Sequence, residues 1–333
     1  MININNKKKK LKGFHFIDLF AGIGGFHYAL SSFGAECVFA SEWDKSASEV
    51  YTLNHKVKPY GDITLIDAKL IPQHDILCAG FPCQAFSVSG NQKGFEDTRG
   101  TLFFDIARII KKHKPKVLFL ENVRNLVKHD NGKTMDVILT TLDSLGYKVY
   151  YKVLNTSNYG LPQNRQRTYI VGFNKDISIK KFNFPTPIEK RTSLSEFLEI
   201  NPPNVKIVER DDINMYKEII INNNLFNKKE LPNKPLQIGK VNKGGQGERI
   251  YHTLGHAITL SAYGGGVGAK TGLYKINNKI RKLSPRECAN IQGFPEDFKF
   301  HPKDSQSYKQ FGNSVSVNVL QKIIEQIIKS LDV

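Results

Sequence analysis

An apolar run, Phe14-His15-Phe16-Ile17-Asp18-Leu19-Phe20, breaks into Ala21-Gly22-Ile23-Gly24-Gly25 and continues as a helical stretch over residues 26–33. Strand, glycine turn and helix in that order point to the α/β class, because parallel sheets are built by repeating this unit. The rhythm persists: further strands are expected at 37–41, 74–79, 116–120, 148–154 and 169–173, with helices over 102–111 and near 135–145. In open sheets of this kind ligands bind at the carboxyl ends of the strands. The residues that matter should therefore lie just after each apolar run.

Three such positions suit a nucleoside. Glycines let the backbone approach a ligand closely, and the helix that follows offers unpaired amides. The turn lacks the full Gly-x-Gly-x-x-Gly spacing, since Phe26 follows Gly25 directly. The next strand ends in Glu42-Trp43, roughly 20 residues on, where an acid hydrogen-bonds ribose hydroxyls. Trp43 offers an aromatic face to a purine, and Asp62, after a third short strand, offers an acceptor to an adenine amino group. The alternative is a solvated strand end at Glu42 and a core indole at Trp43. No Walker lysine follows the glycines, so phosphate chemistry is not indicated.

The run over 74–79 feeds Gly80-Phe81-Pro82-Cys83-Gln84-Ala85-Phe86-Ser87. Proline fixes its own φ and biases Phe81 toward an extended conformation, which stiffens the approach to Cys83. That cysteine is either a small buried hydrophobe or a nucleophile. Ser89-Gly90-Asn91-Gln92-Lys93-Gly94, polar and glycine-bearing, reads as a segment that moves. The strand at 116–120 brings Glu121-Asn122-Val123 to the same edge. A carboxylic acid there is a candidate proton donor, or a cap for the next helix. Gln163-Asn164-Arg165-Gln166-Arg167 sets two arginines on one side of an extended segment. Paired arginines suit phosphate, a base carbonyl or a surface ion pair.

Past residue 176 the rhythm fails. Residues 180–234 are rich in Asn, Lys and Pro, with a helix expected around 215–221, and this composition shift marks a second domain. Gly244-Gly245-Gln246-Gly247-Glu248-Arg249 and Thr259 to Gly266 carry glycines, amides and basic groups suited to close approach to base edges, or to the turns of an ordinary β domain. Order returns with a helix opened by Ser284-Pro285 and an apolar helix over 317–331.

The charge agrees with a polyanion partner: 48 basic residues against 31 acidic give +17. An AT-rich coding sequence also produces lysine-rich faces, so charge alone does not decide. The four cysteines, Cys37, Cys78, Cys83 and Cys288, form no Cys-x-x-Cys pair, so neither a zinc ribbon nor a disulfide framework is indicated. With no apolar run of about 18 residues and no signal-like start, a cytoplasmic protein is expected.

In order along the chain, Asp18-Leu19-Phe20-Ala21-Gly22-x-Gly24-Gly25, Pro82-Cys83-Gln84, Glu121-Asn122-Val123, Gln163-x-Arg165-x-Arg167, Arg286-Glu287 and Gly312-Asn313-Ser314 resemble six blocks of the C5 cytosine DNA methyltransferase family. The resemblance spans nearly the whole chain and implies a doubly wound mixed α/β sheet of Rossmann-like, S-adenosylmethionine-dependent type with a smaller β-rich target-recognition domain. The expected division is 1–192 for catalysis and cofactor, 193–311 for recognition, and 312–333 for a helix that packs back on the first domain.

The same resemblance implies S-adenosylmethionine held by Phe20, Gly22, Gly24, Glu42, Trp43, Asp62, Ile63, Leu102 and Asn313. It implies Cys83 as nucleophile, Glu121 holding N3 and the exocyclic amine, and Arg167, with Arg165, holding the carbonyl oxygen and the cysteine loop. The target carbon is out of reach in a stacked duplex, so the base must be flipped. Ser89 and Gln246 match positions that fill the gap, and Arg249, Tyr263, Gly264 and Gly265 match base-reading positions. Likeness of residues 244–270 to one bacterial member gives GCGC, inner cytosine, as the expected site. The expected partner is double-stranded DNA, with a cognate restriction endonuclease that shares the site without binding, in a monomer with no membrane or metal. A transfer RNA cytosine methyltransferase and a non-catalytic nucleic-acid-binding protein are the alternatives; an NAD-dependent oxidoreductase explains the glycine turn alone.

Overall fold

The computed structural model describes residues 10–82, 102–189, 191–203, 205–216 and 233–333. The chain divides into two compact units, one of Met1–Leu154, Gln166–Pro185 and Leu320–Val333, the other of Asn155–Arg165 and Thr186–Val319. Neither unit is a continuous piece of sequence.

The first unit is the α/β domain. Its strands are β1 (His15–Leu19), β2 (Glu36–Ser41), β3 (Ile76–Gly80), β4 (Val117–Val123), β5 (Tyr147–Asn155) and β6 (Gln166–Asn174), in the order β2-β1-β3-β4-β6-β5. β1 to β4 run parallel, whereas β6 is antiparallel to β4, so the sheet is mixed. The helices are α1 (Gly25–Ser31), α2 (Lys45–His55), α3 (Leu102–His113) and α4 (Lys133–Ser144). The third short strand expected before Gly61 is only a single bridge, Ser41 to Tyr60. In contrast, α2 gave little sequence signal because only Ala47, Val50 and Tyr51 are buried along it.

Alternation along the strands builds two cores. Ile17, Leu19, Leu77, Ala79, Leu118, Leu120 and Ile170 face Phe103, Ile106, Ile109 and Ile110 of α3 and Ile138 and Leu142 of α4. Each of the Leu, Ile and Phe side chains among them contributes about 1.5–3 kcal/mol through burial. Phe119 takes the other parity along β4 and meets Phe26 of α1 edge-on at 5.0 Å. Helices thus lie on both faces of the sheet, which is the doubly wound arrangement.

The second unit carries a five-stranded sheet of β7 (Asn214–Met215), β8 (Leu236–Lys240), β9 (Arg249–His252), β10 (Leu273–Ile276) and β11 (Lys279–Arg281), in the order β11-β10-β9-β8-β7. Val208, Val241, Ile250 and Leu273 form its small core. Where a helix was expected around 215–221, Asn214 and Met215 pair with β8; residues 217–221 lie outside the described residues. Helix α5 (Pro285–Asn290) opens with a capping box, in which Ser284 accepts from the Glu287 amide and Glu287 accepts from the Ser284 amide. Helix α6 (Asp304–Asn313) follows. The last helix, α7 (Val317–Leu331), belongs from Leu320 onward to the first unit, where Gln321 donates to Ser32 and the Lys180 amide donates to the Ser330 carbonyl.

Candidate active site

At the carboxyl end of β1 the chain leaves the sheet through Phe20, a non-glycine residue at φ 55, and Gly22 at φ 56. This left-handed backbone is why a glycine stands at 22. The Gly22 amide donates to Glu42 Oε2 and the Asp44 amide to Glu42 Oε1, each at 2.8 Å. One carboxylate therefore ties the turn to the end of β2. Burial lifts the Glu42 carboxyl above the usual carboxylate range, and these amides pull it back.

The Glu42 amide donates to the Tyr60 carbonyl, which draws a third segment alongside. There Asp62 accepts from the Thr64 amide at 3.0 Å, and Ile63 is buried. Arg108 of α3 holds the carbonyls of Ile63 and Ile66, anchoring that segment to the helix that Leu102 begins. Sequence reasoning passed over Arg108, whose two carbonyl partners are more than 40 residues away, though Asp105 pairs with it one turn back in the helix.

A cofactor with an adenosine group fits what these residues present. A β-carbon built on Gly22 meets nothing within 4 Å, so the turn is open on that side. The Trp43 indole is 78% exposed, which answers the alternative of a core tryptophan. The Glu42 carboxylate, with about four lone-pair sites, accepts from the amides of Gly22 and Asp44 and retains acceptor capacity for a hydroxyl. Asn313, the ninth expected cofactor residue, is exposed at the end of α6 in the second unit.

Gly80 and Glu121 are direct partners in the β3–β4 ladder, so the segment entering Pro82 and the acid leave the sheet side by side. Glu121 is 7% exposed, and Arg167 of β6 reaches it with Nε 3.2 Å from Oε1. Asn122, 1% exposed, donates through Nδ2 to the Phe81 carbonyl at 2.9 Å and accepts from the Val123 amide. It pins the peptide two residues before Cys83. The sequence named Asn122 only as part of a motif; a buried amide next to an acid at a strand end was the signal for its role. Cys83 and Ser89 lie outside the described residues.

Arg165 differs from its neighbour. It precedes β6, is 1% exposed, and its guanidinium donates to the carbonyls of Leu260, Gly312 and Ser314 at 3.1, 3.1 and 2.5 Å. The expectation that both arginines share one side of an extended segment is corrected by this: Arg165 is a brace inside the second unit. Carbonyls 95 to 149 residues away in sequence outcompete the local alternation.

The glycine-rich segments of the second unit come together. The Gly268 amide donates to the Gly247 carbonyl at 2.7 Å, and a β-carbon on Gly247 has no room against the Gly265 carbonyl. Backbone thus packs on backbone, leaving Gln246, Arg249, Tyr263 and Gly264 exposed, with Arg249 Nε donating to the Gly244 carbonyl at 3.3 Å. Among the described residues no group of three His, Cys, Asp or Glu side chains is placed to hold a metal ion, and no helix is long and apolar enough to cross a membrane.

The sequence profile of the C-5 cytosine-specific DNA methylase family matches residues 14–329. The chain belongs to this family. It is a C5 cytosine DNA methyltransferase of the type II kind, and its relatives agree. The chain is 54% identical to type II methyltransferase M.HhaI of Haemophilus parahaemolyticus over 99% of its length and 98% of the relative's. It is 43% identical to M.HpaII of Haemophilus parainfluenzae over 96% of its length and 90% of the relative's. Solved methyltransferases share the fold: S. pombe Dnmt2 superposes with a TM-score of 0.68 at 21% identity, covering 95% of this chain and 98% of that one. Entamoeba histolytica EhMeth gives 0.69 at 19% identity, covering 94% and 97%.

Proposed function

We propose that this methyltransferase moves a methyl group from S-adenosylmethionine to carbon 5 of a cytosine flipped out of a specific duplex DNA site, through a covalent adduct with Cys83. S-adenosylmethionine supplies an electrophilic methyl group on a positively charged sulfur. Phe20, Gly22, Gly24, Glu42, Trp43, Asp62, Ile63 and Leu102, with Asn313, hold it. Carbon 5 of cytosine is a poor nucleophile by itself. A bond from the Cys83 thiolate to carbon 6 pushes electron density to carbon 5, and N3 takes a proton as that bond forms.

Glu121 holds N3 and the exocyclic amine, so it manages that proton, and Arg167 holds the carbonyl oxygen. Carbon 5 takes the methyl group as the bond from that methyl to the cofactor sulfur breaks and leaves a neutral thioether; N3 then returns its proton to Glu121, and the carbon-5 proton leaves to a base. The electron pair so released re-forms the ring double bond and breaks the carbon–sulfur bond, returning Cys83 as thiolate. The observation that carries this reading is the ladder pairing of Gly80 with Glu121, which sets the acid beside the strand end that leads into Pro82, with Arg167 3.2 Å from the acid.

Extruding the base costs a few kcal/mol. Gln246 and Ser89 fill the gap, while Arg249, Tyr263 and Gly264 read base edges, a good bidentate arginine contact being worth about 1–3 kcal/mol of discrimination. The likeness of residues 244–270 to one bacterial member makes GCGC, modified at the inner cytosine, the proposed target. The enzyme acts as a cytoplasmic monomer and the protective half of a restriction and modification pair. Bisulfite sequencing of plasmid from cells expressing the protein tests both parts: methylation at GCGC is expected, methylation elsewhere revises the target, and none in plasmid that still carries the gene overturns the reading. The Cys83→Ala protein should leave the plasmid unmethylated while still binding cofactor.

A further inference from the structure

The turn that faces the cofactor is held from behind by a histidine. Glu42 secures the Gly22 amide, and the Gly24 amide donates to the Ala21 carbonyl at 2.9 Å. The carbonyl of the same peptide, that of Ile23, has His55 Nε2 at 3.3 Å. Gly24 lies at φ 86, and a β-carbon built there falls closer to His55 Nε2 than two such atoms can lie. The imidazole thus occupies the space that a side chain at position 24 would take.

His55, the last residue of α2, is itself gripped. His27 of α1 stacks on it at 4.1 Å with planes 21° apart, and Tyr51 tilts against it at 4.7 Å. The pair His27 Nδ1 and Tyr51 Oη is 2.7 Å apart, with Tyr51 fully buried. Burial holds His27 down to about 3 and His55 to about 4, so both rings are neutral near pH 7. A neutral ring carries one N–H, and the Ile23 carbonyl selects the tautomer with that proton on Nε2.

We propose that His55 is a positioning residue for the cofactor: its Nε2–H fixes the Ile23–Gly24 peptide between the two positive-φ glycines and so sets the shape of the turn that S-adenosylmethionine meets. The inference rests on the cofactor reading above. Gly22 and Gly24 are the residues with the most backbone freedom in the turn, so the peptide between them is the one that needs holding. Stacking on His27 carries any displacement of α1 into the same contact.

The test is equilibrium dialysis with labelled S-adenosylmethionine, alongside quenching of Trp43, the chain's single tryptophan. His55→Leu keeps bulk and removes the donor; its cofactor Kd should rise roughly fivefold, the scale of one hydrogen bond. His55→Gln places an amide N–H where Nε2–H was and should stay within about twofold of wild type. The Kd for DNA should not move in either. Should His55→Leu fail to fold, His55→Asn, too short to reach the carbonyl, replaces it. A folded leucine or asparagine variant that binds cofactor like wild type overturns the inference, as does a glutamine variant as weak as the leucine one. Wild-type protein that takes up no S-adenosylmethionine overturns instead the cofactor reading on which the inference stands.

Discussion

Arg167 Nε stands 3.2 Å from Glu121 Oε1 across the antiparallel β4–β6 ladder, in which Glu121 pairs with Tyr169 and Val123 with Arg167. The two residues are diagonal neighbours on one sheet face, within reach of long side chains. Their positions come from strand register and not from loop conformation, so the pair is set before any substrate arrives.

If the two act on one ring, their losses should not add. Glu121→Gln is expected to lower kcat by about 10²–10⁴, the range of a lost proton-transfer group. Arg167→Ala should cost on the order of 10², and the double variant little more than the larger single loss. Single-turnover methyl transfer measures all three; multiplicative losses would separate their roles.

Asn122 is a second point of leverage. Its replacement by alanine strips the Phe81 carbonyl of its amide donor, at a cost of about 1–3 kcal/mol in denaturant unfolding. Methyl transfer should fall while the cofactor Kd stays at the wild-type value, since nothing near Glu42 changes. A variant equally active and less stable would reduce Asn122 to a structural role.

Gly247→Ala places a β-carbon against the Gly265 carbonyl. Overpacking of backbone on backbone forces the two glycine-rich segments apart. Binding of duplex DNA, read by fluorescence anisotropy, should weaken about tenfold or more, a 1–3 kcal/mol effect, with cofactor binding intact.

The buried histidines make acid costly. His27 and His55 are held to about 3 and about 4 against an ordinary 6.5, so below pH 6.5 the unfolded chain takes up protons that the fold refuses. Stability is therefore full above pH 6.5 and declines as pH falls toward those values, by up to about 2 kcal/mol per ring at pH 5. Asp18 and Glu42, both raised chiefly by burial, act in the opposite sense, because acid relieves them. The comparison that isolates the rings is thermal unfolding of wild type and His27→Asn/His55→Gln at pH 7 and 5. The variant should lose less.

What the sequence made legible follows locality. The strands of the α/β unit and helices α3 and α4 announce themselves through apolar runs with fixed period, and the glycine turn, Glu42 and Glu121 stand at their ends. The Ser284 cap was readable for the same reason. Arg165 was not, because its partners Leu260, Gly312 and Ser314 are supplied by distant parts of the chain. Nor was the His55 contact, in which a helix end of mixed polarity meets a glycine through folding alone. The short strands β7 to β11, two to five residues each, carry too few alternations to be told from turns.

Helix α7 gives the chain an order of assembly. Its buried residues Leu320, Ile323, Ile324, Ile327 and Ile328 belong to the unit that β1 begins, yet they leave the ribosome only after all of Thr186–Val319 has been made. At roughly 5–20 residues per second that delay is on the order of ten seconds. Throughout it the first unit lacks these five buried side chains, so the unit that β1 begins is the first to start folding and the last to finish.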